Sequence, residues 1–342
     1  MRCPFFGTDA LCLSYAVERQ QTLPNQRKGR HDHMSTPKTK IAVLGGDKRQ
    51  YSAAHQLAVM GFSVLIWGLP HTTEDMGDIV WASDWRSAVA EADAVLLPLP
   101  VSFDGLRINL SLLEQSSPNT VYDLRITHLL EAMHCRQILL CGRIPPACKA
   151  YAEEIGFSPI DYSENELFQL RNARPTAEGA LELAMHELPV TMNGTHTAVI
   201  GYGRIAQALV PLLRGMGADV TVAARKPADL CRAENFGCRT LRICSHEGKS
   251  SLLQLDNRCC VIFNTVPYWL FDRSVLENIS PDVLIIDLAS APGGVDPQAA
   301  IDCGIRVIRA SGLPGKCAPV TAGEIIAQTV ADYLLRKGGD ST

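Results

Sequence analysis

The sequence predicts an α/β protein of two Rossmann-like domains, each a doubly wound parallel sheet, with an interdomain cleft. Three observations predict it. Short apolar runs alternate with helix-period segments along most of the chain, the pattern of parallel strands joined by crossover helices. A length of 342 residues suits two such domains better than one. The run Thr197-Ala-Val-Ile-Gly-Tyr-Gly-Arg-Ile-Ala206, a strand, a glycine turn and a helix start, lies mid-chain, so a second unit opens where a first is already complete.

The elements follow in order. Lys40-Ile-Ala-Val-Leu-Gly45-Gly46-Asp47 reads as a strand ending in a glycine turn. Tyr51–Met60 reads as a helix stopped by Gly61, and Ser63–Trp67, Val95–Leu99 and Ile138–Cys141 as further buried strands. These place a substrate-side domain over residues 34–172. A helix over Pro175–His186 comes next, with Pro175 in its first turn and Ala180, Leu181, Ala184 and Met185 as its apolar stripe. Thr197–Ile200, Asp219–Ala223, Cys260–Phe263, Val283–Leu288 and Arg306–Ile308 are the strands of a nucleotide-binding domain over 173–316, and Ile205–Met216 is the helix after its glycine turn. Residues 317–342 hold a last helix, Thr321–Leu335, returning toward the first domain. Residues 1–33 differ: Pro24 and the basic cluster Arg27-Lys28-Gly-Arg30 sit in a stretch without periodicity, expected to be a disordered or non-native arm ahead of a natural start at Met34.

Composition narrows the function. A formal charge of −4 gives no electrostatic basis for binding nucleic acid or an anionic membrane, and no apolar run approaches the length of a membrane-spanning helix. Twelve cysteines include no CxxC pair and no paired Cys/His ligand spacing, which reads as buried reduced thiols in a cytosolic protein rather than a metal site.

The glycine turn carries the chemistry. Gly201 permits the sharp bend, Gly203 has no Cβ to obstruct a pyrophosphate, and Ala206 lets helix and strand pack closely. Arg204 and Ile205 open the helix whose N–H groups face the phosphates. Where an acidic residue would hold the adenosine ribose of NAD, the chain has Arg225 and Lys226; this favours NADP, with NAD still possible and a solvated basic turn as the plainer reading. Asn264-Thr265-Val266-Pro267 ends the third strand and Asp287-Leu-Ala289 the fourth, each expected beside the nicotinamide end. Such an architecture also resembles the D-2-hydroxyacid dehydrogenases, a family that implies an Arg for the substrate carboxylate and a Glu-supported His as acid and base. Ala289, Ser290 and Ala291 supply no Arg and the final loop no His, so simple hydroxyacid oxidation is disfavoured.

Four longer motifs go further: Gly45-Gly46-Asp47-x-Arg49-Gln50, Pro175-Thr176-x-Glu178-Gly179, Asp287-Leu-Ala-Ser-x-Pro-Gly-Gly294, and Gly312-Leu-Pro-Gly315 with Ala318-Pro319-x-Thr321-Ala-Gly323. Together they resemble the family of dipicolinate synthase A subunits, over residues from about 40 to 337. The resemblance implies oxidation of a dihydrodipicolinate-type intermediate to pyridine-2,6-dicarboxylate, with hydride passed to a nicotinamide. It also implies a flavoprotein-like B subunit as partner, an oligomeric assembly, and a place in the cytoplasm of the mother cell of endospore-forming bacteria. For a dicarboxylate substrate the candidate ligands are Arg49, Lys316 and the amides of Gly312 and Gly315, and the candidate proton acceptors are Glu178 and Asp47. Plainer readings remain: Arg49 as a helix-surface charge, and Glu178 as a first-turn carboxylate facing the helix dipole. Two other functions stay open, a different two-domain dehydrogenase of an amino, imino or hydroxy acid, and a non-catalytic nucleotide-binding regulatory subunit.

Overall fold

The computed structural model describes residues 38–72, 79–120, 122–243, 250–255 and 258–339. The N-terminal arm and the start at Met34 lie outside the described residues. The chain divides into two units, one within residues 1–169 and 319–342, the other over residues 170–318.

The first unit holds strands β1 (Lys40–Leu44), β2 (Ser63–Trp67), β3 (Ile79–Trp81), β4 (Ala94–Leu96), β5 (Ile138–Cys141) and β6 (Ile160–Asp161). Its helices are α1 (Lys48–Val59), α2 (Trp85–Glu91), α3 (Ser111–Ser116), α4 (Ile126–Ala132) and α5 (Pro146–Glu154), and α6 (Glu166–Glu187) runs on into the second unit. The second unit holds β7 (His196–Ile200), β8 (Asp219–Ala224), β9 (Arg239–Arg242), β10 (Cys259–Asn264), β11 (Leu284–Asp287) and β12 (Arg306–Arg309). Its other helices are α7 (Arg204–Gly215), α8 (Pro227–Asn235), α9 (Arg273–Leu276), α10 (Pro297–Asp302) and α11 (Leu313–Cys317); α12 (Pro319–Gly339) closes the chain and belongs to the first unit.

Both sheets are six-stranded, ordered β3-β2-β1-β4-β5-β6 and β12-β11-β10-β7-β8-β9. Every pairing is parallel. Each order reverses direction once, between β1 and β4 and between β7 and β10, and ligands of such sheets sit at the carboxyl ends of the strands flanking that reversal. The apolar runs explain themselves through two-sided burial. In β7, Val199 joins the core on one face while Ala198 and Ile200 join the core on the other. In β1, Ala42 and Leu44 face one way, Ile41 and Val43 the other. Each fully buried Val, Leu or Ile among them contributes about 1.5–3 kcal/mol.

The structure departs from the sequence reading in definite places. Strands β3, β6 and β9 escape it because they are sheet edges: β9 is Arg-Thr-Leu-Arg with both arginines exposed, and β6 has two residues. An edge strand needs no continuous apolar run. The strand expected over Val95–Leu99 ends at Leu96, just ahead of Pro98 and Pro100, which have no N–H for a ladder. The helix expected to begin at Pro175 begins at Glu166, so Pro175 is interior. An interior proline costs about 3 kcal/mol in an isolated helix. Tertiary contacts offset it here: Pro175, Thr176 and Ala177 are all buried, and the Thr176 hydroxyl donates to the Asn172 carbonyl at 2.7 Å. Glu178 is therefore a mid-helix residue and not a first-turn carboxylate.

Helix α12 packs on α1 through Gly323, where a Cβ would collide with the Arg49 carbonyl and lie 2.5 Å from Ser52 Cβ. Ile326 and Val330 then reach the core that Ala54 and Leu57 line. No helix among the described residues is long and apolar enough to cross a membrane.

Candidate functional site

In the second unit the turn after β7 has the geometry expected of it. Gly201 has φ +90°, and a Cβ there would lie 2.5 Å from Thr265 Oγ1 and 2.9 Å from Val266 Cγ2. Glycine is needed for conformation and for space. Its N–H donates to the Ala223 carbonyl at 2.8 Å, fixing the turn against the end of β8. Gly203 is different: its φ of −80° suits any residue, and no atom lies within 4 Å of where its Cβ would stand. It is the N-cap of α7 and no side chain caps that helix, so the protein leaves the positive end of α7 facing open space. Arg204 is exposed, Ile205 half-buried and Ala206 fully buried under the helix. Tyr202 between the glycines is buried, and burial raises its phenol above the ordinary value, so it brings no negative charge to the turn.

Ile200 pairs with Ala223, which places Arg225 and Lys226 just past the end of β8 beside the turn. Both are exposed, and neither has an ion-pair or hydrogen-bond partner through its side chain among the described residues.

Asn264 and Asp287, expected among the cofactor contacts, are sealed inside, at 0% and 2% exposure. The Asn264 amide donates to Asp287 Oδ1 at 2.8 Å and to the Val266 carbonyl at 3.1 Å. The other Asp287 oxygen accepts from Gly294 N at 3.1 Å. Gly294 has no room for a Cβ, which would collide with the Asn264 amide. These two side chains are spent on joining the loops after β10 and β11. What faces outward beside them is Thr265 and Val266, half-buried, Pro267, exposed, and Ala289, half-buried. Thr265 braces the glycine turn directly, its hydroxyl donating to the Ile200 carbonyl at 2.8 Å.

The motif around Pro175 and the motif after Gly312 meet in space. A Cβ on Gly179 would lie 2.7 Å from Cys317 Sγ and 3.2 Å from Leu313 Cβ, and the Cys317 thiol donates to the Pro175 carbonyl at 3.2 Å. Gly179 is thus a packing glycine. Gly312 has φ +68° and starts α11; Lys316 is exposed with no side-chain partner among the described residues, and Gly315 is half-buried. Glu178 is exposed, its carboxylate 3.8 Å from Arg174.

In the first unit, the turn after β1 is crowded. Gly45 has φ +62° and Gly46 φ +108°, and Gly46 N–H donates to the Asn109 carbonyl at 2.7 Å. Asp47 caps α1 by accepting from Arg49 N at 3.0 Å. The same carboxylate takes Arg49 Nε at 2.9 Å and Nη2 at 2.7 Å, and Nη2 also donates to the Leu99 carbonyl. Arg49 is 7% exposed, which corrects the surface-charge reading. It also means that Asp47 and Arg49 are one bonded pair rather than independent acid-base and anion-binding groups. Tyr162 lies fully buried nearby, its hydroxyl donating to the Leu97 carbonyl at 3.1 Å; burial lifts its pKa well above the ordinary phenol value, with the Arg49 charge opposing. Gln50, to which sequence reasoning assigns no role, is 1% exposed. Its sequence signals are its place in the Gly45-Gly46-Asp47-x-Arg49-Gln50 motif and its position three residues after an Asp cap.

Two doubly wound units, one carrying an uncapped glycine-turn helix, define the class: a protein of paired Rossmann-like units. The fold is shared with the transhydrogenase from Sinorhizobium meliloti, at TM-score 0.61 and 14% identity over 86% of this chain and 92% of that one. Within that class the similarity is specific. Residues 40–163 match the N-terminal domain of the dipicolinate synthase A subunit. The chain is 29% identical over 299 residues to the dipicolinate synthase A subunit of Bacillus subtilis, covering 86% of this chain and 95% of the relative. The crystal structure of that dipicolinate synthase polypeptide, from the same organism, superposes with a TM-score of 0.75 at 26% identity, over 90% of this chain and 99% of the other. The resemblance read from the four motifs is borne out: residues 40–163 match the model of that family's N-terminal domain, and the likeness to its Bacillus subtilis member runs over most of the chain.

Proposed function

We propose that this chain is the A subunit of a dipicolinate synthase, oxidising a dihydrodipicolinate-type intermediate to pyridine-2,6-dicarboxylate. The observation that carries the reading is the turn after β7, where Gly203 leaves open space in front of the uncapped α7, within a chain similar to the Bacillus subtilis protein along most of its length. The residues fit a dinucleotide: Gly201, Gly203 and the first N–H groups of α7 for the pyrophosphate, Arg225 and Lys226 for a ribose phosphate, Thr265, Val266, Pro267 and Ala289 as the outward-facing end. The nicotinamide group, when bound, supplies the hydride acceptor; the charge at Arg225 and Lys226 favours NADP.

Aromatising a dihydropyridine removes one hydride and one proton, and the gain in ring stabilisation drives it. No strong general base is then required, in keeping with the lack of His in the loops after β10, β11 and β12. The proton passes to water or to a carboxylate, for which the exposed Glu178 is the candidate, since Asp47 is engaged by Arg49. Arg49, its guanidinium oriented by Asp47, and Lys316 are each proposed as a cation for a substrate carboxylate. The partner is a flavoprotein-like second subunit. The test is to incubate the purified chain, with and without that partner, with NADP and the product of a dihydrodipicolinate synthase. Ultraviolet absorbance of the pyridine dicarboxylate should grow faster than in an enzyme-free control; equal rates reject the assignment.

A further inference from the structure

Gln50 poses a problem that packing does not answer. Both polar atoms of its carboxamide, Nε2 and Oε1, are buried and have no hydrogen-bond partner among the described residues. Buried polar groups are almost always satisfied, because an unmade hydrogen bond inside a protein carries a free-energy penalty. A structural partner is close in sequence. Gln50 is the third residue of α1 after the cap Asp47, the position from which a Glu or Gln side chain normally turns back to accept the cap's N–H. Here Oε1 makes no such bond. The side chain therefore has no capping role.

The side chain lies instead at the reversal of strand order in the first unit. A Cβ on Gly46, in the turn after β1, would collide with Gln50 Cγ and lie 3.1 Å from Pro98 Cβ, in the segment after β4. Beside it stands Arg49, held by Asp47 and by the carbonyl of Leu99 from that same segment. The unspent carboxamide, a buried guanidinium and the start of a 12-residue helix thus converge where a doubly wound sheet holds its ligand. Because the carboxamide of Gln50 makes no hydrogen bond, a change of rotamer toward a ligand breaks none.

We infer that Gln50 reads the substrate at the carboxyl edge of the first unit, its Nε2 donating to a ligand carboxylate and its Oε1 accepting from an adjacent ring N–H or O–H. The ligand class rests on the proposed function above. A carboxamide offers donor and acceptor side by side, so it matches a carboxylate flanked by a donor, as in a dihydropyridine whose ring nitrogen carries a hydrogen. It mismatches the aromatic product, whose ring nitrogen turns a lone pair toward Oε1. Gln50 therefore discriminates between substrate-like and product-like oxidation states and favours release of the aromatic acid.

The experiment uses two stable probes, piperidine-2,6-dicarboxylate, whose ring nitrogen donates, and pyridine-2,6-dicarboxylate, whose ring nitrogen accepts. Both are titrated calorimetrically into the full chain and into Gln50→Leu, with thermal unfolding of each protein alongside. The wild type should prefer the piperidine acid at least about tenfold. Gln50→Leu should lose that preference while unfolding at the same or a higher temperature, since the apolar isostere removes two unsatisfied buried atoms. A preference unchanged in Gln50→Leu, or a wild type that binds neither probe, overturns the inference. Should Gln50→Leu unfold, Gln50→Met serves under the same criteria. NADPH fluorescence titration separates the two readings: probe discrimination through Gln50 without nucleotide binding sustains this inference and sinks the proposed function, and turnover with unchanged discrimination does the reverse.

Discussion

The two sheets share one strand order, yet their glycine turns are finished in opposite ways. In the second unit the turn after β7 is left open: Gly203 has nothing within 4 Å of its Cβ position and α7 has no side-chain cap. In the first unit the turn after β1 is filled: Gln50 presses on Gly46, Asp47 caps α1, and Arg49 is bonded to both Asp47 and Leu99. One topology therefore yields two different edges. An uncapped helix end with free space suits an extended phosphate group, whereas a turn lined by a buried Arg and a carboxamide suits a small polar acid. The lesson is that the strand order locates a crevice and the first turn of the following helix decides its occupant.

The largest expected effect breaks the comparison at the two glycines of a single turn. Gly201→Val puts a β-branched residue at φ +90° against Thr265, and should cost about 3 kcal/mol or more in urea denaturation. Gly203→Ala, at an ordinary φ in open space, should change stability by less than about 0.5 kcal/mol yet weaken NADPH at least tenfold. Equal destabilisation by both would erase the distinction between a conformational and a ligand-facing glycine. In the first unit, Asp47→Ala removes the cap and the partner of the buried Arg49. A loss of about 2–3 kcal/mol is expected, less than for a fully buried pair because Asp47 keeps 31% side-chain exposure. NADPH affinity should stay unchanged in that variant.

Arg225→Asp comes next. Losing one charge-assisted contact of about 1.5–3 kcal/mol should weaken NADPH ten- to a hundredfold and shift preference to NADH, read by fluorescence titration of both. Unchanged preference would show that the end of β8 does not choose the nucleotide. The smallest effect belongs to Glu178→Gln: an exposed pair at 3.8 Å should contribute less than about 0.5 kcal/mol. A fall in turnover in that variant without a fall in stability would identify Glu178 as the proton acceptor.

Much of this was legible in the linear chain. The runs Lys40–Leu44 and Thr197–Ile200 reveal buried parallel strands because both faces are covered, so nearly every residue must be apolar. Gly201 and the basic pair Arg225-Lys226 declare themselves because a backbone conformation and a charge are local properties. Edge strands β3, β6 and β9 do not, since half-exposed residues carry no periodic signal. Tertiary packing alone decided the rest. It carried α6 through Pro175 by burying the residues around it, and it made Gly179 and Gly323 contact points for Cys317 and Arg49. It turned Asn264 and Asp287 into an internal brace, bonded Asp47 to Arg49, and left Gln50 enclosed without a partner. Which side chains meet depends on elements far apart in sequence, and hydrogen-bonding capacity is spent or saved only once they have met.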